Sequence, residues 1–514
     1  MIRSSVVFCL AVSLLGALAT HSAHCEVLAR GSVYQDRNGN LLRDAGEKGI
    51  RGVCVSNGEA VVQTDARGRF EIPVGDDTIV FVVKPRGWAA PADDRNLPQF
   101  FYIHKPSGSP DLRHPGVAPT GALPESIEFP LVRRKETGRF EGLFFGDTQP
   151  RNQQEIDYIA HDIVEELVGA DVAFGVTLGD LVFDNLGDMD SLCRTLALIG
   201  VPWHNVLGNH DMNYDSPDDT YSDETFERVY GPPYYAFEYG EVHFLVLDDV
   251  VWNGEKYHGE LGARQRAFIA NYLALVPKDH LVVLMMHIPI QELKDLEELF
   301  DLLEDRPNTF SLSAHWHTQR HFFYGKEKGW DGLEPHHHLV APTVCGSWWT
   351  GAFDERGIPH ATMADGGPNG YLVIGFEGTD YDVRFKAAGR PVDYQMNVYA
   401  PEAVSASDLA GVEVLVNVFA GSERSKVEMR LGQEGPWTPL ERVDAQDPAF
   451  LRLKEREPEL PDQFGRKLPG AATSNHFWRG ALPVNAPIGT HLIHVRTTDM
   501  FGRTHEAHRV IRIQ

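Results

Sequence analysis

Residues 208–211 read Gly-Asn-His-Asp and directly follow an apolar, strand-like run at 203–207. Polar side chains also follow apolar runs at Asp147, Asp180 and His287. In open α/β sheets the loops beyond the strand ends carry the chemistry, so these side chains are expected to meet at one edge of the fold. Carboxylate oxygen, amide oxygen and imidazole nitrogen form the ligand mixture that two adjacent divalent metals require. The motif therefore predicts an α/β domain with a dinuclear metal site.

Strand-like and helical patterns alternate through the central part of the chain, which predicts sheets covered by helices. We place this α/β domain at 137–390. Strand-like runs are found at 143–145, 172–176, 203–207, 242–247, 281–286 and 309–312, and helical periodicity is found at 153–168, 188–199, 263–275 and 291–304.

The flanking segments have no such alternation. Between 27 and 84, five short β-rich runs are separated by turns, which predicts a small all-β sandwich within 26–136. The proline-rich segment 85–134 is expected to extend this domain and to pack on its neighbour. After about Val392 the β-like runs return without a ligand cluster, so 391–514 is predicted to be a C-terminal β-sandwich.

The candidate metal ligands divide into two sets around one shared carboxylate. Asp180 follows Gly179, which lets the backbone approach the metals closely, and it is the candidate bridge. The first metal would be held by Asp147, Gln149 and His317, and the second by Asn209, His287 and His315.

In this order the motifs Asp-x-Gln, Gly-Asp, Gly-Asn-His-Asp, His and His-x-His resemble those of the calcineurin-like metallophosphoesterase superfamily. The resemblance covers roughly residues 139–388 and implies a four-layer αββα sandwich. The flanking domains look like the N- and C-terminal β modules of a secreted bacterial branch. The chain departs from the usual pattern at Gln149, where many members have histidine, and at Ala314, where glycine is usual.

The resemblance also implies roles for two residues beside the ligands. His210 would point at the substrate and either donate a proton to the leaving oxygen or hydrogen bond to the phosphoryl group. Asp211 would orient the His210 ring. The histidine triplet at 336–338 is a candidate to cap a sheet edge, and the runs 346–351 and 365–370 look like two loops that line the mouth of the site.

A second candidate metal site lies in the N-terminal sandwich, where oxygen-bearing residues have the spacing of a calcium-binding loop. Leu41 stands at the sixth position, where a helix-loop-helix calcium hand has glycine. The alternative is an Asx-rich turn that binds nothing. The candidate ligands are Asp36, Asn38, Asn40, Leu42, Asp44 and Glu47.

The chain begins with Arg3 and an apolar run from Val6 to Ala19, which is too short to span a bilayer and predicts a signal peptide within 1–25. We therefore expect a secreted or periplasmic protein with no transmembrane segment after cleavage. The three remaining cysteines, Cys54, Cys193 and Cys345, are an odd number at irregular spacing and are interpreted as core residues.

The chain has 514 residues and a formal net charge of -26, which disfavours nucleic acid and anionic membrane as partners. The predicted function is hydrolysis of a phosphomonoester or phosphodiester by a dimetal-bound hydroxide, with manganese, iron or zinc as the metals. The expected substrate is a phosphorylated small molecule or envelope polymer. The alternative is a cell-surface binding scaffold whose phosphoesterase domain is catalytically weak because its metals are incomplete.

Overall fold

The computed structural model describes residues 27–459 and 467–514. Within these ranges the chain forms an N-terminal β-sandwich, a central α/β domain and a C-terminal β-sandwich. The predicted signal peptide lies outside the described residues. In the part that is described, no helix combines the length and the apolar character needed to cross a bilayer.

The N-terminal domain consists of two four-stranded sheets that enclose one apolar core. Its strands are β1 Val27–Gln35, β2 Cys54–Ser56, β3 Val61–Gln63, β4 Arg69–Val74, β5 Thr78–Val82, β6 Trp88–Ala89, β7 Phe101–His104 and β8 Ile127–Arg133. The sheets have the orders β4-β1-β8-β6 and β3-β2-β5-β7. Because β8 pairs with β1 and β7 pairs with β5, the segment 85–134 supplies strands to the sandwich.

The central domain contains a five-stranded and a six-stranded sheet, joined by helices and a short hairpin. Its strands are β9 Arg139–Phe145, β10 Phe174–Leu178, β11 Trp203–Val206, β12 Tyr235–Tyr239, β13 Val242–Val246, β14 Val250–Trp252, β15 Tyr257–Gly259, β16 Leu281–Met285, β17 Thr309–Ser313, β18 Arg320–Tyr324, β19 His336–Val340, β20 Gly370–Glu377 and β21 Asp380–Ala387. The α-helices are α1 Gln153–Ile159, α2 Glu165–Leu167, α3 Met189–Leu196, α4 Glu224–Tyr230, α5 Gly262–Leu273 and α6 Leu296–Asp301, and a π-helical turn at Ala160–Val164 joins α1 to α2. The sheet orders are β11-β10-β9-β20-β21 and β12-β13-β16-β17-β19-β18.

The two sheets pack face to face with helices outside, which is the expected four-layer αββα sandwich. Phe174 of the first sheet contacts Phe244 of the second, with ring centroids 5.1 Å apart. On β9, Leu143 and Phe145 point away from the second sheet and join the core that includes Ile156 of α1. This alternation is the period of two that a strand buried on both faces requires.

The parallel strands bring the predicted site loops to one edge. β9, β10 and β11 run parallel in the first sheet, and β13, β16, β17 and β19 run parallel in the second. Their carboxyl ends therefore lie on the same side of the molecule, where chemistry is expected in open α/β sheets.

Two local expectations were wrong. The helix predicted at 291–304 is divided into a 3-10 turn, Ile290–Glu292, and α6, because Leu293 is extended with φ -70° and ψ 131°. The histidine triplet does not cap an edge: it forms the first three residues of β19, which lies between β17 and β18.

The C-terminal domain is a β-sandwich with one added helix, α7 Pro448–Arg456. Its strands are β22 Met396–Tyr399, β23 Ala403–Val404, β24 Glu413–Val418, β25 Lys426–Leu431, β26 Thr438–Pro439, β27 Glu441–Ala445, β28 Ser474–Ala481, β29 Gly489–Thr498 and β30 Thr504–Ile513. The sheet orders are β22-β24-β28-β27 and β23-β30-β29-β25-β26. The Asp447 carboxylate caps α7 by accepting from the backbone N–H groups of Ala449 and Phe450.

Candidate metal centre

The predicted ligands converge from loops that follow five parallel strands. The first sheet supplies Asp147 after β9, Asp180 after β10 and Asn209 after β11, and the second supplies His287 after β16 and the His315–His317 pair after β17. Among the residues described, Asp180, His287 and His315 each offer a ligand atom, and these three atoms lie within 4.8 Å of one another.

The backbone is strained where these side chains leave their strands. Four of the seven candidate ligands have positive φ: Gln149 at 37°, Asp180 at 49°, His315 at 68° and His317 at 52°. Each such conformation costs about 1–3 kcal/mol and persists only where the surroundings hold it. Strain concentrated at one pocket is typical of a functional site.

Two glycines make the close approach of the loops possible. A Cβ atom on Gly179 would lie 2.4 Å from Nδ1 of His287, and one on Gly208 would lie 2.4 Å from Oδ1 of Asp180. Neither distance is tolerable for a real side chain. Gly179 therefore lets a loop of the first sheet approach His287 of the second, and Gly208 lets the loops after β10 and β11 approach each other.

The second set of ligands surrounds the Nε2 atom of His287. This atom lies 3.1 Å from Oδ1 of Asn209, 3.1 Å from Nδ1 of His315 and 3.2 Å from Oδ1 of Asp180. Nδ1 of His287 is hydrogen bonded to the carbonyl oxygen of Leu178 at 2.9 Å. That bond fixes the ring so that Nε2 is the nitrogen available to a metal.

The first set is more loosely arranged. Nδ1 of His317 is hydrogen bonded to the carbonyl oxygen of Gly346 at 2.6 Å, which leaves Nε2 facing Oδ2 of Asp147 at 3.8 Å. The amide nitrogen of Gln149 donates to Oδ2 of Asp180 at 2.9 Å, while its oxygen accepts from the indole N–H of Trp348. The structure thus brings Gln149 to the bridging carboxylate but turns its oxygen towards Trp348, and its role as an oxygen ligand stays a prediction.

The electrostatics of the pocket favour a positive charge at its centre. Burial alone would lower the pKa of His287, but the carboxylates of Asp180 and Asp147 raise it to about 10. Burial alone would likewise raise the pKa of Asp180, but His287 and His210 hold it well below its usual range. Burial lowers the pKa of His315 to about 3. Buried carboxylates and imidazole nitrogens directed at one another are a donor set that fits divalent cations.

His210 stands at the entrance, beside the ligands rather than among them. Its Nδ1 lies 2.6 Å from Oδ1 of Asp184, and its ring stacks on Phe183 with centroids 4.7 Å apart. The backbone N–H of His210 donates to Oδ1 of Asp180 at 2.9 Å. Burial opposes protonation of the ring, but the neighbouring carboxylates, Asp180 and then Asp184, raise the pKa of His210.

The predicted role of Asp211 in orienting His210 needs correction. Asp211 is fully buried, and its carboxylate accepts from the backbone N–H groups of Gly208, Leu181 and Val182. It therefore ties the two metal loops together, whereas Asp184 contacts the His210 ring.

Three further residues lie beside the candidate ligands, namely Asp184, Trp348 and Cys345, and of these only Asp184 was missed by the sequence analysis. Asp184 occurs four residues after Asp180 without a recognisable motif. Cys345 is a buried core residue as predicted, but its sulfur also lies 3.7 Å from Nδ1 of His317. Trp348 lies beside the site as predicted for its loop, with its ring 4.2 Å from that of His317.

The other residues predicted near the mouth lie deeper. Trp349 is buried against Tyr158 of α1. Asp365 is completely buried and contacts the C-terminal domain through His476, so the 365–370 segment does not form the predicted rim.

The candidate calcium loop is closed by its own side chains. Asp36 is buried and accepts from the backbone N–H groups of Gly39 and Leu41 at 2.7 and 3.0 Å. Leu41 adopts φ 64°, the left-handed conformation that glycine has in a calcium hand. The side-chain amide nitrogens of Asn38 and Asn40 both donate to one oxygen of Asp44. The Glu47 carboxylate accepts from the backbone N–H groups of Arg37 and Asp44. The Leu42 side chain is exposed. The loop has the path of a calcium site, and calcium binding stays a prediction.

Comparison with known proteins gives matches among solved structures but no curated relative. No curated protein matches the chain. A purple acid phosphatase from yellow lupin (Lupinus luteus) seeds is 13% identical, with a TM-score of 0.36, and the match covers 66% of this chain and 67% of that one. A likeness of this size carries no argument about the site.

Family models match most of the chain in three consecutive blocks. Residues 36–113 match the model described as the N terminal of calcineurin-like phosphoesterase, residues 143–319 match calcineurin-like phosphoesterase itself, and residues 338–505 match the C terminal of calcineurin-like phosphoesterase. The last match begins inside β19 and therefore crosses the boundary that the sequence predicted between 390 and 391. The central block contains all seven candidate ligands. The chain belongs to the calcineurin-like phosphoesterase family and is a dinuclear metal-dependent phosphoesterase.

Proposed function

We propose that this protein hydrolyses a compact phosphomonoester or phosphodiester outside the cytoplasm. The observation that carries the proposal is the convergence of the ligand atoms of Asp180, His287 and His315 within 4.8 Å, on loops where Asp180 and His315 have positive φ. Asp180 would be shared by two metals, with Asn209, His287 and His315 on one side and Asp147, His317 and Gln149 on the other.

When bound, two divalent metals supply an activated water and neutralise charge on the phosphoryl oxygens. The protein groups position the reactants. His210, protonated beside Asp184, would donate its Nε2 proton to the leaving oxygen, since its Nδ1 is already engaged. Mixed oxygen and nitrogen ligands suit manganese, iron or zinc.

The rim of the pocket favours a small substrate with a flat leaving group. Phe183, Tyr257 and Trp348 lie next to His210, His315 and His317, with ring centroids 4.7, 5.9 and 4.2 Å away. Such rings can stack on a sugar or a base. The carboxylates of Asp184 and Glu292 also lie at this rim, where they would repel a polyanionic substrate.

Two parts of the proposal concern regions outside the metal centre. Residues 1–25 would be a signal peptide that directs the protein to the periplasm or the exterior, and of the two expected substrate classes the acidic rim favours a phosphorylated small molecule over an envelope polymer. The 36–47 loop would bind calcium through the carboxylate and amide oxygens described above and the carbonyl oxygen of Leu42.

Metal analysis combined with turnover tests the proposal. We expect purified protein to contain up to two equivalents of divalent metal and to hydrolyse an aryl phosphate or a bis-aryl phosphate after manganese addition. Asn209→Ala should lose metal and activity, and His210→Ala should lose activity while keeping the metal. Activity that survives both substitutions would overturn the proposal, and substoichiometric metal without turnover would favour the scaffold.

A further inference from the structure

The loop that carries His315 and His317 needs external support. Both residues have positive φ, and the loop turns between β17 and β18 within six residues. At its start the backbone N–H of His315 donates to Asp147 at 3.1 Å. At its end the backbone N–H of Gln319, two residues after His317, donates to Oδ2 of Asp365 at 2.9 Å. Strained residues stay in place only when such contacts over-determine them.

Asp365 is itself held from the C-terminal sandwich. Its Oδ2 accepts from Nε2 of His476 in β28 at 3.1 Å, and both side chains are essentially inaccessible to solvent. Burial opposes ionisation, but the hydrogen bond and the charge of His476 hold the pKa of Asp365 below its usual range. A buried carboxylate of this kind depends strongly on its partner, because removing one member leaves the other uncompensated.

Further contacts join the same two regions. Asn417 of β24 donates to the carbonyl oxygen of Asp365 at 3.0 Å and to Asp447 at 2.9 Å. The guanidinium group of Arg320 donates to the carbonyl oxygen of Thr473. A Cβ atom on Gly366 would lie 2.1 Å from Cγ of Asp447, so the Asp447 side chain packs directly against the backbone of Gly366. The end of the His-x-His loop is thus built against the C-terminal domain.

From this arrangement we propose that His476 is a positioning residue for the metal centre, and that the C-terminal domain is part of the scaffold that holds His317. His476 fixes Asp365, Asp365 fixes the backbone at Gln319, and that backbone fixes the direction in which His317 enters the pocket. The inference rests on the proposed metal centre but concerns a residue that lies in another domain and touches neither metal nor substrate.

Metal affinity in the full-length protein tests the inference. His476→Phe keeps a ring of similar volume but removes the N–H donor, whereas His476→Gln keeps a donor. His508→Ala, an exposed histidine on β30 of the same domain, is the matched control. Manganese is titrated by calorimetry into protein stripped with chelator, and each variant is melted with and without manganese.

We expect His476→Phe to weaken manganese binding about tenfold and to shrink the rise in melting temperature that manganese causes. His476→Gln should recover most of the affinity, and His508→Ala should match the wild type. If His476→Phe does not fold, Asp365→Asn provides the second variant: its single amide oxygen cannot accept from Gln319, Gly367 and His476 as the two carboxylate oxygens do, and it should weaken manganese binding in the same way.

Failure of the inference and failure of the proposed function are distinguishable. Wild-type protein that binds no manganese would overturn the metal centre itself. Wild-type protein that binds manganese, together with His476→Phe or Asp365→Asn variants of unchanged affinity, would leave the metal centre intact and overturn the role of His476.

Discussion

His210 and Asp211 are adjacent in the chain, but their side chains act on different parts of the site. The His210 ring faces the entrance and meets Asp184, whereas the Asp211 carboxylate turns inward onto three backbone N–H groups. His210 is therefore placed to act on the substrate, as proposed, whereas Asp211 holds together the loops that follow β10 and β11.

This difference predicts opposite consequences for two conservative substitutions. Asp184→Asn removes the charge beside His210 and should lower kcat about tenfold or more, since correct orientation and protonation of a catalytic group are worth 10²–10⁴-fold. It should leave the melting temperature unchanged because Asp184 is half exposed.

Asp211→Asn should instead lower the melting temperature, because an amide cannot accept all three of these bonds. Activity measured with an aryl phosphate, together with thermal melting, separates the two. A large loss of kcat in Asp211→Asn without loss of stability would restore Asp211 to the role that the sequence suggested.

Leu41 provides a second prediction for a single residue. Its φ of 64° costs about 1–2 kcal/mol for a residue with a side chain, and the side chain is 54% exposed, so little packing is lost on truncation. Leu41→Gly should relieve this strain, partly offset by about 0.5–1 kcal/mol of chain entropy.

The expected result is a gain of about 0.5–1 kcal/mol in the free energy of unfolding, measured with denaturant. Leu42→Gly is the control, because Leu42 is also exposed but does not have positive φ, and it should be destabilising. Equal effects of the two substitutions would contradict the account of strain.

At the scale of elements, the strands that lead into the motif residues were readable from sequence, and several others were not. β16 was identified by its unbroken apolar run, and β17 was identified by Phe310 and Leu312 although it also carries serines, whereas the apolar β20 was missed. β12, β18 and β21 were missed because they carry polar or charged residues at positions that face helices, domains or solvent. The motif order located the ligands because each follows such a readable strand, whereas Asp184 and Asp365 gain their roles from tertiary contacts that no spacing encodes.

The histidines of β19 form a buried polar ladder with the neighbouring β17. His336 is hydrogen bonded to Thr309 and Ser311 at 2.8 and 2.7 Å, and His338 to Ser311 and Ser313 at 2.7 and 3.0 Å. These partners satisfy the neutral rings. Burial lowers the pKa of His336 to about 3.

The ladder predicts acid sensitivity with a definite sign. In the unfolded chain a histidine binds a proton near pH 6.5, whereas folded His336 stays neutral until about pH 3. Its contribution to stability is complete above pH 6.5 and is lost as the pH falls from 6.5 towards 3, at about 1.4 kcal/mol per pH unit.

Denaturant unfolding at pH 7, 6, 5 and 4 measures this loss. His336→Gln should reduce the fall of the unfolding free energy by about 1.4 kcal/mol per pH unit. The same substitution at the exposed His508 should not change that fall. Identical slopes for wild type and His336→Gln would show that His336 titrates equally in both states.

At the scale of the molecule, the N-terminal sandwich is attached to the central domain by a buried cluster of charges. Lys105, which directly follows β7, lies 2.6 Å from Glu224 and 3.1 Å from Glu227 of α4, and 3.0 Å from Asp77. Lys105 and Glu224 are almost inaccessible to solvent. Burial raises the pKa of Glu227 well above its usual range, with Asp223 adding to the rise. The cluster therefore depends on the one ammonium group at its centre.

Lys105→Met should cost about 3–5 kcal/mol of unfolding free energy, because it leaves buried carboxylates without a cation. We expect the domains to lose their coupling as well, so that denaturation becomes two transitions with the N-terminal sandwich melting separately.

Lys278→Met is the matched control. Lys278 pairs with Asp305 on the surface, where both side chains are more than half exposed, and its loss should change stability by no more than about 1 kcal/mol. Adding Glu224→Gln to Lys105→Met should recover part of the loss, since it removes one of the unpaired charges. A single unchanged transition in Lys105→Met would show that apolar packing between the domains, such as Phe81 against Phe268, suffices to hold them together.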